Sequence, residues 1–249
     1  MPLLDTLISN TTTAPPKMIV YGQPGVGKTS FAASAKAILI DCENGAGAVP
    51  GLKRTPYLKS WPQMRQWLVE LATTPPEGCG AVAIDTVDWL VQRICEYVVL
   101  DLDISRDAKA KDITNTLGTA HGGYYKAREI VQNVVYRDLL PMLNAIAEHG
   151  MAIILLAHAS NIEMTTPEGF DMRLAAPDLP RWIAPPFIEW ADAVMYANKD
   201  GDGRHLITEG NNLILAKNRY SMPARIGLSW ADVIQSMTTT RKDNSNGKS

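Results

Sequence analysis

The chain has 249 residues, of which 46% are hydrophobic and 20% charged, a balance that suits one large α/β domain with a full core. Its formal net charge of −2 excludes the bulk positive field that non-specific nucleic-acid binding needs, so any DNA contact has to be local. The longest wholly apolar run, Met151 to Ala157, is far too short to span a bilayer, and no basic segment followed by an apolar stretch opens the chain, so neither membrane anchorage nor export is expected.

In chain order, residues 1–16 contain Asn10-Thr11-Thr12-Thr13-Ala14-Pro15-Pro16 and read as a flexible arm ahead of a core over 17–237. Met18 to Tyr21 forms a short buried strand, and Ser30 to Lys36 the first turns of a helix. Between them, Gly22-Gln23-Pro24-Gly25-Val26-Gly27-Lys28-Thr29 fits the phosphate-loop pattern G-x-x-x-x-G-K-[ST]. Gly22, Gly25 and Gly27 let the backbone curl so that successive N–H groups face an anion, with the helix start from Ser30 behind them. Lys28 would reach the β- and γ-phosphates, and the Thr29 hydroxyl would hold Mg²⁺. ATP with Mg²⁺ is therefore the expected ligand pair.

A second strand, Ile38 to Asp41, runs into Cys42-Glu43, so two carboxylates one residue apart emerge on the same side of an extended chain. Glu43 either projects into the nucleotide crevice, where it could orient or deprotonate a water, or is a solvated acid before Gly45 and Gly47. The third strand, Ala81 to Asp85, ends in a carboxylate that suits a Mg²⁺ partner at the carboxyl edge of a parallel sheet; a helix-capping aspartate is the alternative. Val87, Leu90, Val91, Ile94, Val98 and Val99 then recur at three- and four-residue spacings, a buried helical stripe. Residues Tyr125 to His149 are helical around Pro141, which kinks that helix or opens a new one.

The fourth strand, Ala152 to Leu156, leads into Ala157-His158-Ala159-Ser160, bringing His158 to the same edge as Asp85. A fifth apolar run spans Ala193 to Ala197, after which His205 to Glu209 and Leu213 to Lys217 flank Gly210-Asn211-Asn212 as a predicted hairpin. Residues 238–249 are polar and read as a disordered tail. The alternation predicts a mostly parallel sheet with helices on both faces. Cys42, Cys79 and Cys95 form no C-x-x-C pair and are odd in number, which fits reduced thiols in a cytoplasm.

Taken together, Gly22 to Thr29, Asp41-Cys42-Glu43, Asp85, His158 and Lys217-Asn218-Arg219 stand in an order that resembles the RecA-type recombinase and replicative-helicase superfamily of P-loop ATPases. The chain is similar in plan to compact phage proteins that consist of a RecA core alone and act in single-strand annealing and recombination. That resemblance implies Glu43 as catalytic base and His158 as γ-phosphate sensor. It also implies Lys217 and Arg219 as cations reaching the γ-phosphate of a neighbouring subunit, hence a homo-oligomer, in a host cytoplasm if the chain is phage-encoded. Single-stranded DNA is the implied partner, with a single-strand DNA-binding protein as a further candidate.

The loops that would face DNA are about Asp103 to Gly123 and Asn161 to Pro186, and neither is strongly basic. Tyr124, Tyr125, Lys126 and Arg128, with Arg181-Trp182, mix stacking surfaces with charge, a pattern that suits single strands but also ordinary packing. A helicase motor or loader, and a nucleotide-dependent regulatory protein with little turnover, are the alternative readings.

Overall fold

The computed structural model describes residues 14–102, 117–165, 169 and 171–246. Its strands are β1 (Lys17–Gly22), β2 (Ile38–Asp41), β3 (Lys53–Arg54), β4 (Ala81–Asp85), β5 (Ala152–Thr165), β6 (Asp171–Pro177), β7 (Ala193–Asp200), β8 (Gly203–Ile207), β9 (Lys217–Asn218) and β10 (Arg225–Gly227). The helices are α1 (Lys28–Ser34), α2 (Trp61–Thr73), α3 (Val87–Tyr97), α4 (Lys126–Val134), α5 (Leu140–Glu148), α6 (Ala184–Trp190) and α7 (Trp230–Asn246). One sheet runs in the order β10-β8-β7-β1-β5-β4-β2-β3, with β6 added to β5 and β9 to β7. From β7 across to β3 the main path is parallel; β8, β10, β6 and β9 join antiparallel. This is the expected α/β architecture.

Strand periodicity sorts the core into two layers. Met18 and Val20 face one layer with Phe31 of α1 and Val233 of α7, whereas Ile19 and Tyr21 face the other, with α2 to α6. The β1 residues Met18 to Tyr21 are each fully buried, and each large apolar side chain so placed contributes about 1.5–3 kcal/mol. The strand that ends in the phosphate loop is thus anchored from both faces.

Several local expectations need correction. The hairpin is not built on Gly210-Asn211-Asn212: β7 pairs with β8 around Gly201 and Asp202, where Gly203 at φ 110° supplies the reversal. Asn211 instead turns its own loop by accepting from the N–H groups of Leu213 and Ile214, and Leu213 and Leu215 bond Ala175 of β6. The fourth strand does not stop at Leu156 but continues to Thr165, because residues 159–165 find partners along β6. The predicted loop 161–186 is therefore largely a β-hairpin followed by α6. The tail expected over 238–249 is helical as far as Asn246, continuing α7 from the anchored Val233.

Pro141 opens α5 after a wider, π-type turn over Val135–Leu139, in the first-turn position where the amide donor that proline lacks is not needed. Of the amino-terminal arm, Pro16 is buried and its carbonyl accepts from Ile153 N–H; residues 1–13, like 103–116 of the first candidate DNA loop, lie outside the described residues.

Candidate nucleotide site

The parallel register gathers the ends of β1, β2 and β4 and the middle of β5 at one edge. Gly22 of β1 stands opposite His158 of β5, Leu156 of β5 opposite Asp85 of β4, and Asp85 opposite Asp41 of β2. Because β5 lies between β1 and β4, His158 comes between the phosphate loop and Asp85. A cleft of about 310 Å³ there is lined by Gly25, Gly27, Lys28, Thr29, Ser30, Glu43, Asp85, Thr86, His158 and Arg204, among others.

Two glycines are required by the loop's shape. A side chain on Gly22 would meet the carbonyl oxygen of Ala197 at 2.5 Å, and Gly27 sits at φ 113° at the head of α1. The Lys28 ammonium folds over this curl and donates to the carbonyls of Gly22 at 2.9 Å and Gln23 at 3.3 Å. Burial lowers its pKa, opposed by the charges of Asp85, Asp88 and Glu43. Val26 turns inward to the core, while Gln23 and Pro24 remain exposed.

Thr29 donates from Oγ1 to Asp85 Oδ2 at 2.8 Å. Asp85 is 6% exposed, and burial pushes its carboxyl up to about 6; the Thr29 hydrogen bond and Lys28 act the other way, and Glu43 and Asp41 add to the rise. The hydroxyl and carboxylate are hard oxygen donors side by side, a set that fits Mg²⁺. Among the described residues no group of three or more His, Cys, Asp or Glu could hold a metal, so such an ion would take its remaining ligands from phosphate and water.

The two carboxylates of Asp41-Cys42-Glu43 do not act together. Regular extension ends at Asp41, which is fully buried and bound by Arg54 Nη1 at 2.9 Å and by the Asn44 N–H at 2.6 Å. Asp41 thus fixes the turn. Glu43 lies beyond it and brings Oε1 to 3.6 Å from His158 Nε2. The other side of that imidazole meets Asp88, whose Oδ2 is 2.8 Å from Nδ1 while its Oδ1 accepts from the His158 backbone N–H at 3.1 Å.

Sequence reasoning missed Asp88. Its signal was an acid three residues after the strand-end carboxylate, in the first turn of α3, where it passes for a helix-dipole residue. By taking two N–H groups on one carboxylate it fixes the ring and leaves Nε2 toward Glu43.

Lys217 and Arg219 are not brought to this cleft within the subunit. They sit beside the start of β7, with Val194 opposite Lys217, and the adjoining Ala193 is opposite Met18 at the far end of β1, about 13 Å along the strand from Gly22. The Lys217 ammonium donates to the carbonyls of Ile188, Glu189 and Ala191 at 2.8, 2.9 and 2.6 Å, closing the end of α6. Burial, then the Arg219 charge, lowers its pKa. Arg219 pairs with Asp192 at 3.3 Å and donates to the Glu189 carbonyl. A larger cavity, about 560 Å³, opens at this same edge beside Arg219, Tyr220 and Trp230, away from the phosphate loop.

The two aromatic segments do converge. The Arg128 guanidinium carbon lies 4.2 Å from the Tyr125 ring centre and 5.5 Å from that of Trp182, and Gln132 donates to the Trp182 carbonyl at 2.7 Å. Tyr124 beside them is 92% exposed and Tyr125 56%. Arg181 is bound to the Glu163 carbonyl. Four residues before Trp182, the Asp178 N–H donates to the His158 carbonyl at 2.9 Å, so one backbone hydrogen bond links the segment that carries Trp182 to the strand that carries His158.

A family model described as AAA domain matches residues 14–220. No curated protein matches the chain. Among solved structures it is similar to the flagellar accessory protein FlaH from Methanocaldococcus jannaschii, with 13% identity over 90% of this chain and 88% of that one and a TM-score of 0.38, too loose a likeness to bear on fold or activity. No helix among the described residues is long and apolar enough to cross a membrane.

Proposed function

The chain belongs to the AAA domain family of P-loop ATPases, and from that premise we propose that it is an ATP-hydrolysing, oligomeric RecA-type protein that acts on single-stranded DNA in phage annealing and recombination. The observation that carries the hydrolytic part is the grouping of Lys28, Thr29, Asp85, Glu43 and His158 around one cleft. Lys28 binds the β- and γ-phosphates, exchanging its two carbonyl partners for phosphate oxygens. Thr29 and Asp85 would hold Mg²⁺, which neutralises charge on the phosphate oxygens.

Glu43 takes a proton from the water as its oxygen bonds to the γ-phosphorus and the bond to the β,γ-bridging oxygen breaks, giving ADP and phosphate. His158, held by Asp88, faces both Glu43 and the space expected for the γ-phosphate. Replacing Glu43 by Gln keeps nucleotide binding and slows turnover by about a hundredfold or more. Equal turnover by that variant would remove Glu43 from the role.

The DNA part rests on the exposed Tyr124 and Tyr125 with the Arg128–Trp182 pair, stacking faces and a cation joined by backbone to His158. Retention of single-stranded DNA by the protein in ATP, and not without nucleotide, is the expected result. ATP bound but scarcely hydrolysed, with no retention, would favour a nucleotide-dependent regulator; strand displacement would favour a helicase motor.

A further inference from the structure

The cation expected from Lys217 and Arg219 of a neighbour has a counterpart within the subunit. Arg204, the second residue of β8, lines the nucleotide cleft. A methyl group placed on Gly27 would lie 3.5 Å from Arg204 Cδ and 3.8 Å from its Nε, so the arginine runs alongside the phosphate loop at the head of α1. Strand alternation sets that direction: Leu206, two residues on, is fully buried in the same layer as Phe31 of α1.

The charge on Arg204 is also uncommitted. Nearby acids on the hairpin are taken: Asp200 pairs with Arg225 at 3.1 Å and faces His205 at 3.5 Å, and Asp202 pairs with Arg225 at 3.4 Å. The Arg204 side chain has no hydrogen-bond or ion-pair partner among the described residues. An unpaired, solvent-exposed guanidinium beside a phosphate loop, on the cleft that also presents Lys28 and Thr29, suits the oxygens of a nucleoside triphosphate.

We infer that Arg204 binds the phosphate chain of the nucleotide in its own subunit and, as water displaces ADP from the γ-phosphorus, neutralises the charge that develops on the oxygens. This rests on the proposed ATPase reading and deepens it, because it makes the cation of the site intramolecular. Lys217 and Arg219 are then free to keep their structural contacts.

The test measures ATP affinity and turnover of wild type, Arg204→Ala, Arg204→Lys and Lys28→Ala, then turnover of Arg204→Ala mixed with Glu43→Gln. Arg204→Ala should bind ATP about tenfold more weakly and turn over about a hundredfold more slowly. Arg204→Lys should recover part of both losses, and thermal melting within a few degrees of wild type marks each variant as folded. The mixture should show no more activity than its parts, since neither subunit has both groups. Wild-type affinity and turnover in Arg204→Ala would overturn the inference, as would rescue in the mixture, which would mean that the arginine acts across subunits. Should Arg204→Ala misfold, Arg204→Gln carries the same comparison. If wild type itself neither binds nor hydrolyses ATP, and matches Lys28→Ala, the ATPase reading fails instead.

Discussion

Lys28 and Asp85 feel the same burial with opposite results, since low polarity disfavours whichever charge it surrounds: the lysine's pKa falls and the aspartate's rises. Without Lys28 the cleft loses the cation nearest the loop, and Lys28→Ala should abolish ATP binding in a direct titration; binding at wild-type strength would remove the loop from its role. Asp85 yields a pH effect. Its carboxyl moves from 3.8 to about 6, so between those values the folded protein holds a proton that the unfolded chain has released. The stability from that proton is full below about pH 4 and is lost as pH rises through about 6, leaving ionised Asp85 a cost of roughly 3 kcal/mol at neutrality. Asp85→Asn should therefore raise the urea midpoint at about pH 7 and flatten its decline between about pH 4 and 6. Parallel profiles for the two proteins would contradict this account of Asp85. These residues were legible because the loop's spacing and the strand-end position of Asp85 are local properties. Asp88 was not, because its function depends on β5 bringing His158 across from a residue 70 positions away.

At the level of elements, the strands β1, β2, β4, β5 and β7 were readable from apolar runs, whereas their ends and partners were not. Residues 159–165 are polar enough to pass for a loop, and only the facing residues of β6 make them a strand. The hairpin was misplaced because Gly210-Asn211-Asn212 and Asp200-Gly201-Asp202-Gly203 both carry turn chemistry, and pairing decides between them. Lys217 gives the sharpest case. Its sequence position suggests a cation for a neighbouring subunit, yet its ammonium closes the carbonyl end of α6. Replacing Lys217 by Met should cost about 1.5–3 kcal/mol and lower the melting temperature by on the order of 5 °C with ATP affinity intact. Unchanged melting with loss of turnover would assign Lys217 to catalysis across an interface. The stacking platform is likewise a product of two elements: Trp182→Ala or Tyr125→Ala should weaken single-stranded DNA binding by about 1–3 kcal/mol for each base that stacks, read by fluorescence anisotropy. DNA affinity unchanged in both would move the binding surface elsewhere.

Across the whole molecule, the alternation of apolar strand runs and helical stretches foresaw the mostly parallel sheet with helices on both faces, since it leaves few other ways to bury them. It said nothing of the backbone link between the strand that carries His158 and the segment that carries Trp182. In the folded chain the His158 carbonyl accepts from Asp178 at the start of that segment. On the proposed reading, a nucleotide that draws His158 toward its γ-phosphate would pull on that segment, so that nucleotide and DNA affinities would be coupled in both directions. The most direct test is the steady-state ATPase rate at fixed protein concentration, with and without saturating single-stranded DNA, for wild type and Trp182→Ala. The account predicts that DNA raises the wild-type rate at least several-fold, and that Trp182→Ala keeps the basal rate but loses the stimulation. A wild-type rate indifferent to DNA would contradict it.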